Sequence, residues 1–252
     1  MAKALFLDID GTLILWDKGP FAEDIAAITE ARKRGYYVFL CTGRSLGNIP
    51  RAFLDAPYID GMICGCGAQV ILGGNTIYQT WIPEDVLALV CGFYLGGEKW
   101  CVFEGEKRLY TVNSYEPFRF AVEAQKITGK NDFSQRYADE RVAKVTIQGA
   151  ASGEERDLLC RNLTLNPFPD YFEGVIKGES KSRGMEALLR AAGIDRRDTI
   201  AIGDSLNDMD MIQYAGLGVA MGNACGELKR AAQAVTLDCG QGGVGYAIRN
   251  WA

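Results

Sequence analysis

Hydrophobic and polar positions near the start of the chain follow two different periods. Residues 4–7 and 37–41 are apolar runs of strand length, and residues 23–34 between them have the helical period and end before Gly35. A strand, a helix and a strand in this order form a βαβ unit, in which the two strands are parallel. The pattern therefore predicts a parallel sheet with helices packed against it.

The same alternation returns near the C-terminus. It predicts helices over about 182–192, 207–214 and 227–232, and strands at 199–202 and 217–220. Both ends of the chain are therefore predicted to be parts of one doubly wound sheet.

The middle of the chain has a different pattern. Pro83-Glu84-Asp85 predicts the start of a helix, strands are predicted at 100–103 and 108–112 around a tight turn, and strands near 142–147 and 171–176 surround another helix. This mixture is typical of an α+β unit. Its aromatic residues are expected to pack in its own core, and they are Trp100, Phe103, Tyr110, Phe118 and Phe120.

These patterns together predict the domain organisation. Residues 1–81 and 177–252 are expected to form one core domain, and residues 82–176 an α+β domain inserted into it. The uncharged stretch 61–83 contains too many glycines and polar residues for a membrane span, and short strands with a hairpin are predicted there.

Composition limits the chemistry that the chain can perform. The 252 residues are 48% hydrophobic and 23% charged, as in an ordinary globular protein, and the net charge of −5 argues against a surface that binds nucleic-acid phosphates. The chain has no histidine, which excludes His-based triads and Cys2His2 zinc sites. Catalysis therefore has to use carboxylates, lysine, cysteine or hydroxyl groups.

Cysteine usage and the N-terminus bear on the compartment. The eight cysteines lie mostly in apolar stretches without a CxxC pair, which predicts reduced, buried thiols. Asp8 and Asp10 interrupt the apolar run that a signal peptide would need. We therefore expect a cytoplasmic protein that binds neither a membrane nor a nucleic acid.

Acidic residues directly follow two of the predicted strands. Asp8 and Asp10 come after residues 4–7, and strand alternation points both the same way. Asp204, Asn207 and Asp208 follow the strand at 199–202. Open α/β sheets bind ligands at the carboxyl ends of their strands, and clustered carboxylates favour a cation such as Mg²⁺. A solvated turn or a helix cap could explain either cluster alone, but two clusters on one sheet favour a cation site.

Groups that bind phosphate lie at two further positions. Thr42 and Gly43 follow the strand at 37–41, and Lys181 opens the helix predicted at 182–192. A hydroxyl, a backbone amide and an ammonium near two acids are suited to phosphoryl transfer, which depends on positioning and charge neutralisation. Considered alone, Lys181 would be interpreted as a solvated helix residue.

A glycine-rich sequence near the C-terminus also matches a known motif. Residues 240–245 fit the GxGxxG pattern of dinucleotide-binding sites, but no βαβ unit and no acidic residue about twenty positions on follow it. A turn before the last helix is predicted instead.

In chain order, these motifs resemble the four motifs of the haloacid dehalogenase-like (HAD) superfamily. The matching residues are Asp8-Ile9-Asp10-Gly11-Thr12, Thr42-Gly43-Arg44, Lys181 and Gly203-Asp204-Ser205-Leu206-Asn207-Asp208-Met209. The insertion between the second and third motifs resembles the type-two (C2) cap of the Cof-type phosphatases, as does Gly218-Val219-Ala220-Met221-Gly222-Asn223-Ala224. The resemblance implies an α/β fold: a HAD-like, Rossmann-type doubly wound parallel sheet with an inserted α+β cap domain.

The resemblance also implies a role for each site residue. Asp8 would be the nucleophile that forms an aspartyl-phosphate, and Asp10 would protonate the leaving oxygen and then activate water. The implied phosphate-binding residues are Thr42, Gly43, Lys181 and Asn207. The implied Mg²⁺ site consists of Asp8, the backbone carbonyl of Asp10, Asp204 and, in support, Asp208.

The function implied is Mg²⁺-dependent hydrolysis of small phosphorylated metabolites, with sugar phosphates as the expected substrates. The acid two residues after the nucleophile favours a phosphatase or a phosphomutase over a dehalogenase. A phosphomutase and a catalytically silent phosphometabolite-binding module remain the alternatives. One departure concerns Cys66, which precedes Gly67-Ala68 where members of this branch often have Asn. The sequence predicts neither the physiological substrate nor the oligomeric state.

Overall fold

The computed structural model of the protein describes residues 3–15, 20–113 and 123–252. The chain divides into two units. The first unit consists of Met1–Gly43, Arg51–Tyr78 and Ser180–Ala252, and the second of Arg44–Pro50 and Gln79–Glu179. The predicted insertion at 82–176 lies within the second unit, and its folding as a separate domain stays a prediction.

Fourteen strands lie in the described part of the chain. They are β1 (Lys3–Leu7), β2 (Tyr36–Cys41), β3 (Gly61–Cys64), β4 (Gln69–Leu72), β5 (Asn75–Gln79), β6 (Cys101–Gly105), β7 (Leu109–Thr111), β8 (Ala124–Lys126), β9 (Val142–Gln148), β10 (Leu163–Pro167), β11 (Tyr171–Ile176), β12 (Thr199–Gly203), β13 (Leu217–Ala220) and β14 (Ala234–Val235).

Nine α-helices connect these strands in the described ranges, together with short 3₁₀ turns. They are α1 (Ala22–Lys33), α2 (Arg51–Leu54), α3 (Glu84–Tyr94), α4 (Asp132–Gln135), α5 (Gly153–Leu159), α6 (Lys181–Ala192), α7 (Met209–Tyr214), α8 (Gly226–Ala231) and α9 (Gly243–Trp251).

An eight-stranded sheet is the centre of the first unit. Its strand order is β14-β13-β12-β1-β2-β3-β4-β5, with parallel pairing from β14 to β3 and an antiparallel pair of β3 and β4. The apolar run in β1 is buried from Ala4 to Leu7, as expected for a strand covered on both faces. The predicted βαβ unit and the α/β fold class are therefore confirmed.

Capping residues define both ends of helix α6. The side chain of Ser180 accepts a hydrogen bond from the backbone N–H of Arg183 at 3.3 Å, which caps the helix N-terminus. The helix ends at Gly193, whose φ of 66° is left-handed and favours glycine. The predicted helix over 182–192 is thus found, and Lys181 lies in its first turn.

A six-stranded sheet organises the second unit. Its order is β10-β11-β9-β6-β7-β8, and the pairings are antiparallel except between β7 and β8. Apolar residues of helix α3 pack with those of β6, β7 and β9 in one buried cluster. Phe103 and Tyr110 belong to this cluster and Trp100 is half-buried, whereas Phe118 and Phe120 lie outside the described residues.

All eight cysteines are free thiols in the structure. Six are buried, Cys160 is half-buried and Cys225 is exposed. Burial raises the pKa of Cys64 and Cys91 to about 12, so these thiols hold their protons at neutral pH. In the described ranges, no helix combines the length and apolar character needed to cross a membrane.

The glycine-rich sequence at 240–245 forms a short turn followed by the start of α9, as predicted. The N-terminus of α9 faces the buried carboxylate of Asp24, which accepts a hydrogen bond from the N–H of Gly245 at 2.6 Å. A carboxylate in this position stabilises the positive end of the helix, where a dinucleotide phosphate would have to bind. The structure therefore gives no support to a dinucleotide site.

Candidate active site

Two neighbouring strands bring the two acidic motifs together. The N–H of Asp8 donates to the carbonyl of Ile202 at 3.0 Å, so the end of β1 lies against the end of β12. Gly11 has a φ of 81°, and a Cβ added to it would lie 2.3 Å from Oδ2 of Asp204. Only glycine therefore lets the turn after Asp10 approach Asp204 this closely.

Lys181 connects the third motif to these acids. Its Nζ lies 2.6 Å from Oδ1 of Asp8 and 2.5 Å from Oδ1 of Asp208, and its side chain is fully buried. A buried ammonium needs such partners because burial alone makes its charge costly. The structure thus rejects the interpretation of Lys181 as a solvated helix residue.

The carboxylates that surround Lys181 repel one another. Asp8, Asp204 and Asp208 each place one carboxylate oxygen within 4.8 Å of the other two, and we call these three residues the acidic cluster. Burial and the charge of Asp208 raise the pKa of Asp8 well above its usual value, although Lys181 lowers it. Burial and Asp208 likewise raise the pKa of Asp204 to about 7. One ammonium therefore does not balance three carboxylates.

The acidic cluster fits a divalent cation. Carboxylate oxygens are the ligands that Mg²⁺ prefers, and a cation would favour the ionised form of the acids. Oδ2 of Asp208 already accepts the N–H groups of Asp204 and Ser205, at 2.9 and 3.0 Å, and Oδ1 pairs with Lys181. Asp8 and Asp204 are therefore the candidate ligands, and Asp208 holds the loop and Lys181 in place.

The same surroundings give Lys181 a stable charge. Burial would lower the pKa of its ammonium, but the charges of Asp208 and Asp8 raise it well above the usual value. Lys181 is consequently protonated over the whole physiological pH range and can neutralise an anion next to Asp8.

The remaining predicted site residues lie near the same strand ends. Asp10 is exposed, and its charge contributes to the raised pKa of Asp8 and of Asp204. Thr42 and Gly43 are buried and follow β2, the neighbour of β1. Asn207 follows β12 on the other side and accepts a hydrogen bond from the hydroxyl of Ser205 at 2.7 Å. The sequence motifs thus occupy three adjacent strand ends.

The sequence analysis did not identify two residues that support the site. Oδ2 of Asp210 accepts the N–H of Ser182 at 2.7 Å and so fixes the first turn of the helix that carries Lys181. Nδ2 of Asn223 donates to the carbonyl of Gly11 at 2.8 Å, and its Oδ1 accepts the N–H of Cys239 at 2.7 Å. All three contacts join residues at least 16 positions apart in the chain, so local patterns could not show them. The resemblance of residues 218–224 to the Cof-type branch was the one signal near Asn223.

Comparisons with known proteins agree with this geometry. Residues 5–248 match the sequence model of the haloacid dehalogenase-like hydrolases. The chain is 26% identical over 252 residues to the 5-amino-6-(5-phospho-D-ribitylamino)uracil phosphatase YcsE of Bacillus subtilis (strain 168), covering 99% of this chain and 95% of the relative.

Solved structures show the same similarity. The HAD subclass IIB sugar phosphatase BT4131 superposes with a TM-score of 0.83 at 26% identity, covering 99% of this chain and 98% of that one. A structure from a study of a trigonal-bipyramidal intermediate in a phosphoryl-transfer superfamily gives a TM-score of 0.84 at 26% identity, covering 100% and 99%. The predicted fold, including the inserted cap, is therefore shared with phosphatases over nearly the whole chain.

Proposed function

Since the chain belongs to the haloacid dehalogenase-like hydrolase family, we propose that it is a Mg²⁺-dependent phosphatase of small phosphorylated metabolites that works through a phosphorylated Asp8. Phosphatase activity follows from the family and the similar enzymes. The dependence on Mg²⁺, the class of substrate and the covalent intermediate on Asp8 are what we propose. The observation that carries it is the buried contact of Lys181 with Asp8 beside the acidic cluster.

In the first step, a carboxylate oxygen of Asp8 attacks the phosphorus of the ester. The bond between phosphorus and the ester oxygen breaks, and the carboxyl group of Asp10 gives its proton to the leaving oxygen. In the second step, water attacks the phosphorus of the aspartyl-phosphate while Asp10 takes up a proton. This step releases inorganic phosphate and restores the carboxylate of Asp8.

The other site residues hold the phosphoryl group and its charge. Thr42 would donate its hydroxyl, Gly43 its backbone N–H, and Asn207 its side-chain amide, while Lys181 neutralises negative charge next to Asp8. Asp8, Asp204 and the backbone carbonyl of Asp10 would hold Mg²⁺, with Asp208 in support. When bound, Mg²⁺ supplies positive charge that offsets the charge of the acids and of the phosphate.

Two similar enzymes support the proposed substrate class. BT4131 is described as a sugar phosphatase, and YcsE as the phosphatase of a phosphoribitylamino-uracil. Both substrates are small polyhydroxylated phosphate esters. We therefore propose sugar phosphates as the first compounds to test, and the cytoplasmic location stays a prediction.

The proposal is tested by phosphate release from a panel of phosphorylated metabolites, measured with Mg²⁺ and with EDTA. We expect release from sugar phosphates that EDTA abolishes and added Mg²⁺ restores. Isomerisation of a sugar phosphate without net phosphate release would identify a phosphomutase. Tight binding of phosphorylated compounds without turnover would identify a silent binding module.

Replacement of Asp10 by asparagine tests the acid role. Asp10→Asn should lower kcat by about 10²- to 10⁴-fold for a sugar phosphate, whose alkoxide leaving group needs a proton. The loss should be much smaller for p-nitrophenyl phosphate, because its leaving group is stable as an anion. The measurement compares kcat on the two substrates in one preparation, and equal losses on both would remove Asp10 from the role of acid.

A further inference from the structure

The segment directly after the phosphate-binding turn folds with the second unit. Thr42 and Gly43 belong to the first unit, whereas Arg44–Pro50, which we call the 44–50 segment, belongs to the second. The chain passes from one unit to the other immediately after Gly43. Because Arg44 is bonded to Gly43, contacts of the 44–50 segment affect the backbone conformation of the turn that precedes it.

A buried carboxylate of the second sheet holds the 44–50 segment. Oε2 of Glu104, on β6, accepts hydrogen bonds from Nδ2 of Asn48 at 3.1 Å and from the N–H of Ser45 at 3.4 Å. Glu104 is 1% exposed, and Ser45 and Asn48 are buried as well. A carboxylate buried to this degree costs free energy unless its oxygens are satisfied, so these bonds are a defined part of the structure.

Other residues fix the orientation of Glu104. Its Oε1 accepts a hydrogen bond from the hydroxyl of Thr146 at 2.8 Å and lies 3.2 Å from Nζ of Lys144. Lys144 is buried as well and also pairs with Glu173 of β11. The carboxylate is thus held by β9 on one oxygen and presents the other oxygen to the 44–50 segment.

Gly47 gives a second, independent observation. A Cβ added to Gly47 would lie 2.8 Å from the carbonyl oxygen of Gly105 and 2.8 Å from the backbone nitrogen of Arg108. Both are backbone atoms, which cannot move aside cheaply. Only glycine therefore allows the 44–50 segment to pack this closely on the connection between β6 and β7.

Two hydrogen bonds also lie within the 44–50 segment, next to the turn. Nη1 of Arg44 donates to the carbonyl of Asn48 at 3.0 Å, and the N–H of Asn48 donates to the carbonyl of Ser45 at 2.9 Å. The residue after Gly43 is thereby tied to the residue that Glu104 holds.

We propose that Glu104 is a positioning residue of the phosphatase, which through Asn48 and Ser45 holds the 44–50 segment and so sets the Thr42-Gly43 turn for phosphate. This inference rests on the proposed phosphate-binding role of that turn. Loss of the Glu104 contact weakens phosphate binding and leaves metal binding unchanged, because Glu104 is not a member of the acidic cluster.

Three variants test the inference: Glu104→Gln, Asn48→Ala and Gly47→Ala. Each should raise both the KM for p-nitrophenyl phosphate and the Ki for inorganic phosphate by about tenfold or more, since small displacements of a binding group have large effects. The Mg²⁺ concentration for half-maximal activity should change by less than about twofold. If these residues only supported the fold, the three variants would change the affinity for phosphate and the activation by Mg²⁺ together.

Two matched controls come from the same unit. Glu155→Gln changes another buried carboxylate of the second unit, which accepts hydrogen bonds from Tyr94, Lys99 and the N–H of Ser152. Gly92→Ala is a Gly-to-Ala change with room, since the nearest atom to an added Cβ is a side-chain carbon of Lys130 at 3.7 Å. Both variants should keep the wild-type KM and Ki.

The results separate this inference from the proposed function. Unchanged KM and Ki in the three variants, or equal changes in the two controls, would overturn the role of Glu104 while phosphatase activity of the wild type stands. If Glu104→Gln does not fold, as circular dichroism would show, Asn48→Ala decides the question alone. If the wild type releases no phosphate, calorimetric titration with inorganic phosphate replaces the Ki, and a wild type that does not bind phosphate overturns both proposals.

Discussion

Asp8→Asn is expected to lower phosphatase turnover by about 10⁴-fold or more, because an amide oxygen cannot act as the nucleophile on phosphorus. Asparagine has the shape of aspartate, and its Oδ1 can still accept the hydrogen bond that Lys181 now donates to Asp8 at 2.6 Å. The variant should therefore fold like the wild type. The measurement is kcat on the preferred substrate, with circular dichroism and thermal unfolding recorded on the same preparation.

Asp195→Asn is the matched control for this change. Asp195 is an aspartate of the first unit whose pKa is lowered to about 2 by hydrogen bonds and charge from Arg197, and it precedes the start of β12 whereas Asp204 follows its end. Its replacement should leave kcat unchanged. Turnover of Asp8→Asn at the wild-type rate would exclude a covalent intermediate on Asp8. Trapping of the acyl phosphate with hydroxylamine in the wild type, and its absence in the variant, would give direct chemical support.

The parts of the fold that the sequence predicted correctly share one physical property. Buried parallel strands are nearly continuous apolar runs, so β1, β2 and β12 stand out against the polar segments around them. Polar residues at the ends of such strands lie at one edge of the sheet. For this reason the sequence alone predicts that Asp8 and Asp204 lie in one site.

Other features depend on contacts that no local pattern contains. The short strand β8 has three mostly exposed residues and no apolar run, and it was not predicted. The helix predicted at 207–214 is a 3₁₀ turn at Leu206–Asp208 followed by α7, and Ser205 and Asp208 form a capping box at its start. The 44–50 segment is likewise held by a contact between distant residues, since Glu104 is 56 residues from Asn48.

Lys181→Met should reduce both stability and activity. Methionine replaces the apolar stem of lysine but leaves Asp8 and Asp208 buried without their shared ammonium. Removing one partner of a buried ion pair costs about 3–5 kcal/mol of unfolding free energy. Turnover should fall by about 10²- to 10³-fold, as when a preorganised charge-stabilising group is removed. Urea unfolding in EDTA and kcat with Mg²⁺ measure the two effects.

The stability loss should depend on pH in a defined direction. The pKa of Asp8 is raised by burial and Asp208 even while Lys181 lowers it, so removing Lys181 raises it further. The unfolded carboxyl has a pKa of about 3.9, and a carboxyl with a raised pKa in the folded protein lowers stability as pH rises above that value. The difference in unfolding free energy between wild type and Lys181→Met should therefore be small at pH 4 and large at pH 8.

Two comparisons separate this mechanism from a simple packing defect. In an Asp8→Asn background, Lys181→Met should cost less unfolding free energy at pH 8 than in the wild type, because one of the repelling carboxylates is already neutral. Arg32→Met removes an ion pair with Asp60 in which the arginine is 44% exposed, and such a pair contributes no more than about 1 kcal/mol. A stability loss from Lys181→Met that is the same at both pH values, and the same in the Asp8→Asn background, would mean that the ammonium does not offset the charge of Asp8. Lys181 would then be a packing residue, and its place in the catalytic site would have to be abandoned.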